Sequence, residues 1–315
     1  MIAIAGATGE VGRRVVDRLA NLGISQRILV RDPGRAPQLP GIEVAQISSY
    51  GDAKAVGKGL TGIDRLFMIS ADVLLGIHKK SAIKKVPSPP YNRFQEHVAM
   101  IAAAAAVGVQ HIVYLSFISA APDSTFLLGH DHYQTEEYIR STGLSFTILR
   151  QCLYMDNAAA HASDDGEIRG PAGEGRVSWV ARDDIADVAV AVLTGNGHEG
   201  QTYDVTGPEA LTMAETAEKL SAVTGKKITY RMLSPHEVRL HRNAGRLEKW
   251  EAERRELTGE GLSAEDVEVW ISHYMQIATG EASAVSDTVP RLTGHPAISL
   301  SEYLDRFPEC YSHLL

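Results

Sequence analysis

The chain has 315 residues, 44% hydrophobic and 22% charged, the balance of an ordinary soluble globular protein. Its formal net charge of −8 argues against a broad electrostatic footprint for nucleic acid, and two distant cysteines, Cys152 and Cys310, exclude a disulfide framework or a cysteine metal site. No apolar run approaches the ~20 residues that cross a bilayer, and a first strand beginning at the initiator Met leaves no room for a secretory leader, so the expectation is a cytoplasmic protein with no membrane partner.

In chain order, Met1-Ile2-Ala3-Ile4-Ala5 reads as a short buried strand, followed by glycines at Gly6, Gly9 and Gly12. Val11, Val15, Leu19 and Leu22 then recur at a helical period, with Arg13, Arg14, Asp17 and Arg18 on the opposite face. The glycines therefore lie on a strand-to-helix turn. Arg27–Val30 predicts a second strand that ends in the turn Asp32-Pro33-Gly34, Ile42–Val44 a third and Arg65–Ser70 a fourth. Residues 72–92 carry four lysines and three prolines and read as a long solvated loop; the alternative is a flap over the site, because the segment leaves the carboxyl edge of the fourth strand. A helix over Gln95–Val107, a strand over Gln110–Ser116, a helix over Thr135–Ser141 and a strand over Ser145–Arg150 follow. Asp183–Leu193 predicts a helix returning to the sheet, and Gln201–Val205 a further strand.

From Leu211 helices dominate, with one strand candidate at Lys227–Tyr230 and a charged, solvated helix at Arg246–Leu257. Ser263 with Asp266 marks the start of another helix, whose Val267, Trp270, Ile271, Tyr274 and Ile277 form an apolar stripe, with Tyr274 read as core. Strands separated by helices of this length pair in parallel. The predicted fold class is α/β: a Rossmann-type doubly wound parallel sheet formed by 1–155 with 180–206 returning to it, and a smaller, mainly helical C-terminal substrate-binding region formed by 156–179 and 207–315.

The turn points to a chemistry. A strand-to-helix turn exposes backbone N–H groups at the positive end of the helix dipole, a ready anion site. Gly6 permits the tight turn, Gly9 lets the backbone approach a pyrophosphate, and Gly12 lets helix and strand pack closely. The spacing G-x-x-G-x-x-G is a variant of the usual dinucleotide fingerprint, and Gly6, Thr8, Gly9, Glu10, Val11 and Gly12 are the candidate cofactor contacts. Arg31, after the second strand, and Arg35 close behind favour the 2′-phosphate of NADPH, whereas Asp32, one place later, leaves NADH as the alternative.

With these residues in place, the chain resembles the NmrA-like branch of atypical short-chain dehydrogenases. GATGEVG, LVRDP, AAAAAVGVQHIVYLS, EEYIRSTGLSFTILR, DDIADVAVAVL, LTMAETAEKLSAVTGKKITY and LTGHPAISLSEYL match its pattern in order and spacing over nearly the whole length. Within the branch it is most similar to the NADPH-dependent quinone oxidoreductases of type 2 and the triphenylmethane dye reductases, although 72–92 is longer than that group usually has. The Tyr-x-x-x-Lys dyad of typical short-chain dehydrogenases is absent: His132 stands where the lysine would lie and Leu128 where the tyrosine would. The resemblance implies that Ser70 and Ala71 border the cofactor ribose and that Ser116 and Phe117 lie beside the nicotinamide. It also implies that His132 hydrogen-bonds the nicotinamide ribose, the alternative being an ordinary histidine in a loop that also holds His130 and Asp131. Tyr154, in the segment that matches the family's pocket wall, is placed to stack on a flat substrate ring or else to pack in the wall. His132, Ser116 and Tyr154 are the candidate catalytic residues. His130-Asp131-His132 makes a poor metal shell, and no metal is expected. The expected function is NADPH-dependent hydride transfer to a quinone or similar conjugated acceptor, by a monomer or homodimer. The alternatives are an NAD(P)-binding redox sensor without catalysis and an epimerase or reductase of another small molecule.

Overall fold

A computed structural model describes residues 1–70, 93–242 and 247–315. Ala71, the 72–92 segment and Arg246 lie outside the described residues. The apolar runs of the first half become strands of one sheet: β1 (Ile2–Ala5), β2 (Gln26–Val30), β3 (Ile42–Gln46), β4 (Arg65–Ile69), β5 (His111–Phe117) and β6 (Ser145–Gln151). Between them lie α1 (Glu10–Asn21), α2 (Ala53–Leu60), α3 (Arg93–Ala106) and α4 (Leu127–Ser141). After the single turn α5 (Met155–Ala158) come short strands β7 (Glu167–Gly170) and β8 (Arg176–Val177), then α6 (Arg182–Thr194) and β9 (Gln201–Val205), which returns to the sheet edge. The remainder is β10 (Leu211–Thr212), α7 (Met213–Thr224), β11 (Thr229–Met232), α8 (Pro235–His241), α9 (Leu247–Thr258), α10 (Ala264–Ala278), α11 (Thr288–Thr293) and α12 (Leu300–Arg306).

The seven-stranded sheet runs β3-β2-β1-β4-β5-β6-β9 with every pair parallel. The chain walks outward from β1 to β3 and then resumes on the other side of β1 at β4. Helices that follow β1 and β4 therefore leave in opposite directions, which opens a crevice at the carboxyl ends of these two strands. β1 is buried on both faces. Ile2 and Ile4 pack with Val15 and Leu19 of α1, while Ala3 and Ala5 pack with Leu60, Met68 and Tyr114 on the other face. The first core continues through Val177 and Trp179 into Trp270, Tyr274 and Leu304 of the C-terminal region. Tyr274 is fully buried, as its place in the stripe predicts. Among the described residues no helix is long and apolar enough to cross a membrane.

The structure differs from the sequence reading at particular elements. α4 starts at Leu127 rather than Thr135, so His130, Asp131 and His132 are helical. Gly129 hides this start: it sits mid-turn because a Cβ there would come within 2.7 Å of the Ser119 carbonyl oxygen. The strand at Lys227–Tyr230 moves to Thr229–Met232, where Thr229 pairs with Glu167 of β7. Arg14 and Arg18 do not merely face solvent: Arg14 reaches Asp183 at 3.3 Å, and Arg18 reaches Asp183 at 2.8 Å and Asp187 at 2.6 Å, which fastens α1 to α6.

Beside these pairs lies Asp184. It is buried, its Oδ2 accepts the Ile298 N–H at 2.9 Å, and its Oδ1 has no hydrogen-bond partner among the described residues. Burial, helped by the Asp187 and Asp183 charges, raises this carboxyl to about 6, against the Ile298 N–H and His295, which lower it. A raised folded-state value means the protonated form is the one the fold prefers. The associated stability is fully present below the unfolded value near pH 4 and is lost as pH rises through about 6. Asp184→Asn, which keeps the acceptor for Ile298, is therefore expected to gain about 1–2 kcal/mol at pH 8 and nothing at pH 4, read as the difference in melting temperature at the two pH values.

Candidate active site

At the end of β1 the backbone turns through Gly6 at φ +87°, and the Gly6 carbonyl accepts the Gly9 N–H at 3.0 Å. A Cβ on Gly12 would lie 2.7 Å from the Gly6 carbonyl carbon and closer still to its oxygen, so Gly12 is required by the packing of α1 on the turn. Gly9 is different. It is the N-cap of α1 at φ −86° and ψ 171°, extended backbone open to any residue, and a Cβ there would meet only the Gly6 oxygen at an ordinary 3.4 Å. Packing among the described residues does not demand glycine at this exposed position, and none of their side chains caps α1. The amides of Glu10, Val11 and Gly12, which have no intrahelical acceptor in a first turn, thus face the crevice uncapped. Val11 is buried and can offer only its amide, Thr8 is half-buried, and the Glu10 carboxylate is held by Arg14 at 2.9 Å. These features fit the diphosphate of a dinucleotide.

Past β2, Arg31 and Arg35 are exposed, and among the described residues neither makes an ion pair. The Asp32 carboxylate instead accepts the Gly34 N–H at 2.9 Å and caps the short helical turn Pro33–Arg35. The one acid placed to take an adenosine ribose is thereby engaged in its own turn, and two free guanidinium groups remain.

Across the crevice, β4, β5, α3 and α4 build a buried polar network. Arg93, at the start of α3, sends Nη2 to His132 Nε2 at 2.7 Å and both Nε, at 2.7 Å, and Nη2 to Ser70 Oγ. A guanidinium only donates, so Nε2 of His132 accepts and its Nδ1 carries the proton, which it donates to Tyr114 Oη at 2.9 Å. A second branch has a similar direction: Ser70 faces His97 Nε2 at 3.4 Å, His97 Nδ1 faces Thr135 Oγ1 at 2.9 Å, and Thr135 donates to the Asp131 carbonyl at 2.7 Å. Burial, reinforced by Arg93, pushes His97 down to about 3 and His132 well below the ordinary histidine range, so both are neutral. Phe117 lines the same corner, its ring 6.0 Å from that of His132.

Beneath this network Glu136 is fully buried and accepts Arg150 twice, at 2.9 and 2.7 Å, Arg140 at 3.1 Å, and the Ser116 hydroxyl at 2.6 Å.

The structure thus brings Ser70, Phe117 and His132 together, joined by Arg93, which the sequence reading missed. It assigns Ser116 a different place: fully buried and committed to Glu136, the hydroxyl supports the site from below and is not presented to a substrate. With both ring nitrogens engaged, His132 reaches a ligand by exchanging a partner. Tyr154 is also occupied, since the Arg182 guanidinium lies 3.5 Å over its ring and is held by Asp156 at 2.9 and 3.0 Å. One face of Tyr154 is therefore unavailable for stacking on a substrate. A signal for Tyr114, Thr135 and Glu136, which that reading also missed, is present in the sequence: Tyr114 shares one face of a buried strand with Ser116, and Thr135 and Glu136 share one face of a helix with His132. As for metals, among the described residues Asp184, Asp187 and His295 have ligand-type atoms within 4.8 Å of one another, but the Arg18 guanidinium already occupies Asp187.

Comparison with known proteins agrees with this geometry. A family model described as NAD(P)H-binding matches residues 6–196. An NAD(P)H azoreductase of Xenophilus azovorans is 31% identical over 96% of each chain. A (4-alkanoyl-5-oxo-2,5-dihydrofuran-3-yl)methyl phosphate reductase of Streptomyces griseus is 33% identical over 99% of each. The NADPH-dependent quinone oxidoreductase of Escherichia coli, solved with NADPH, superposes with a TM-score of 0.79 at 29% identity, covering 98% of this chain and 99% of that one. The turn, the sheet order and these matches together establish that the chain belongs to the NAD(P)H-binding family, in its NmrA-like group.

Proposed function

We propose that the chain is an NADPH-dependent reductase that passes hydride to a quinone or a similar conjugated acceptor. The observation that carries this reading is Gly9: an exposed glycine that none of the described residues requires, at a helix N-terminus uncapped among them and lying at the crevice where the strand order reverses. The acceptor class is supported by the three relatives, named for reduction of azo, oxo-dihydrofuran and quinone compounds, all conjugated electrophiles.

When bound, NADPH supplies a hydride from its nicotinamide C4. The chain's own part is to bind and orient. The α1 amides would hold the diphosphate, Arg31 and Arg35 the 2′-phosphate, and the Ser70–Phe117–His132 corner would border the nicotinamide half. Neutral His97 and His132 neither compete for nor supply a charge, so product protons come from water. Placing C4 against an already electrophilic ring is the chain's main contribution.

Two measurements test the reading. Dihydronicotinamide absorbance should fall in a saturable way on addition of at least one member of a panel of quinones, azo compounds and cationic triarylmethane dyes. Tight NADPH uptake with no oxidation by any of them would assign a sensor instead. Arg31→Ala combined with Arg35→Ala is expected to weaken NADPH binding by about 10- to 100-fold through lost charge-assisted hydrogen bonds, while NADH affinity stays within about threefold. Equal losses for both cofactors would remove the 2′-phosphate assignment.

A further inference from the structure

Arg93 is a buried cation, 6% exposed, and its partners are a serine hydroxyl and a neutral imidazole. Other enclosed arginines among the described residues meet an acid or the carbonyl end of a helix. Arg150 faces Glu136, Arg182 faces Asp156, Arg254 faces Asp266, and Arg65 donates to the carbonyls of Leu193 and Gly195 at the end of α6. Arg93 has no carboxylate within ion-pair reach among the described residues, and no hydrogen bond is made by its Nη1 there. The acid it acts on, Asp131, is felt through space without an ion pair, so among the described residues this desolvated guanidinium lacks a direct counter-ion and gains from a negative charge that arrives beside it. Its orientation is nevertheless fixed, from one side by Ser70, itself set against His97, and from the other by His132, itself set by Tyr114. A fixed donor awaiting a charge is the arrangement of an oxyanion site.

The position agrees. Arg93 stands at the carboxyl end of β4, next to β5 and α4, on the half of the sheet opposite to Arg31 across the β1/β4 switch, and so on the nicotinamide side of a dinucleotide laid across the crevice.

We propose that Arg93 is a catalytic residue whose guanidinium receives the negative charge that reduction leaves on an oxygen of the acceptor. The assignment rests on the reductase reading above. The C4–H bond of the reduced nicotinamide breaks and its electron pair moves with hydrogen to the acceptor. There a new bond to hydrogen forms while the conjugated π pair shifts onto the carbonyl oxygen. The products are oxidised cofactor and an oxyanion paired with Arg93, which water then protonates. An acceptor that begins as a cation, such as a triarylmethane dye, becomes neutral on receiving hydride and creates no such charge. Arg93 therefore discriminates between acceptor types in a way that a residue serving only the fold would not.

The test uses the full chain with Arg93→Met and Arg93→Lys. The first readout needs no turnover: 4-nitrophenol added to protein with NADP+ should bind as the yellow phenolate below its solution pKa. Phenolate affinity should drop at least tenfold in Arg93→Met and recover partly in Arg93→Lys, while affinity for neutral nitrobenzene stays within about threefold. In turnover, Arg93→Met should lower kcat/KM for a quinone at least 100-fold and for the cationic dye less than fivefold, with NADPH affinity within about threefold of the parent. A tenfold loss of NADPH affinity would make Arg93 a cofactor ligand and overturn the proposal, as would equal losses for quinone and dye or phenolate binding that ignores the substitution. A parent protein that fails to oxidise NADPH with every acceptor tried overturns the reductase reading, and the phenolate measurement then reports on the anion site separately. Should Arg93→Met fail to fold, Arg93→Lys carries the same quinone-to-dye comparison.

Discussion

Gly9→Val is expected to leave the melting temperature within about 2 °C of the parent and to weaken NADPH binding at least 100-fold. The backbone at Gly9 is extended, and a Cβ there touches only the Gly6 oxygen at 3.4 Å, so the fold accepts the side chain. What it denies is the close approach of a diphosphate to the first-turn amides of α1, which supply both hydrogen bonds and the positive end of the helix dipole. Gly12→Ala makes the opposite prediction. Its single methyl group would collide with the Gly6 carbonyl, which as backbone cannot swing aside, and neither element can move without disturbing the β1–α1 core of Ile4, Val15 and Leu19. A destabilisation above about 4 kcal/mol is expected, read as insoluble protein or a melting temperature lowered by more than 10 °C. Equal behaviour of the two substitutions would show that the glycines serve one purpose, and the separation between ligand-facing and packing glycine would fail.

The second large effect belongs to Glu136. Its carboxylate is fully buried and gathers Arg150, Arg140 and Ser116 around two oxygens. Replacing it with alanine strands the Arg150 guanidinium and the Ser116 hydroxyl beneath the site. Truncating one partner of a buried ion pair costs about 3–5 kcal/mol, and the upper part of that range is not expected here because the Arg150 side chain is 26% exposed and regains some hydration. Glu136→Ala is expected to unfold at a lower urea midpoint by the lower part of that range, and Glu136→Gln, which keeps one acceptor and the same shape, by about half as much. A loss below 1 kcal/mol in the alanine variant would mean that Arg150 escapes to solvent, and that the network is weaker than its geometry implies.

What the sequence revealed and what it concealed follow from the range of the interactions. β1, the glycine turn and α1 were legible because their information is local: an apolar run, three glycines, then a 3.6-residue period. The parallel order of β4, β5 and β6 followed from helix-length separations. The first half of α4 was not legible, because its Gly129 and His132 face inward against Ser119 and Arg93, and their reason for being there lies on other elements. β8 and β10 have two residues each and present no period to detect. The same limit governs the site. His132 was singled out by its alignment with a missing lysine, yet the cation nearest to it is Arg93, brought from α3 by folding. Tyr154 was read as free to stack because nothing in its neighbourhood along the chain announces Arg182, which arrives at the start of α6. Polar residues on the buried face of β5 mark the network in the sequence, but their partners become visible only in three dimensions.

The account stands on the α1 turn taking up a dinucleotide diphosphate. Calorimetric titration of the purified parent chain with NADPH and, separately, with NADH tests this most directly. Saturable binding of one NADPH per chain is expected, with NADH at least tenfold weaker. Heat that never saturates with either nucleotide would contradict it.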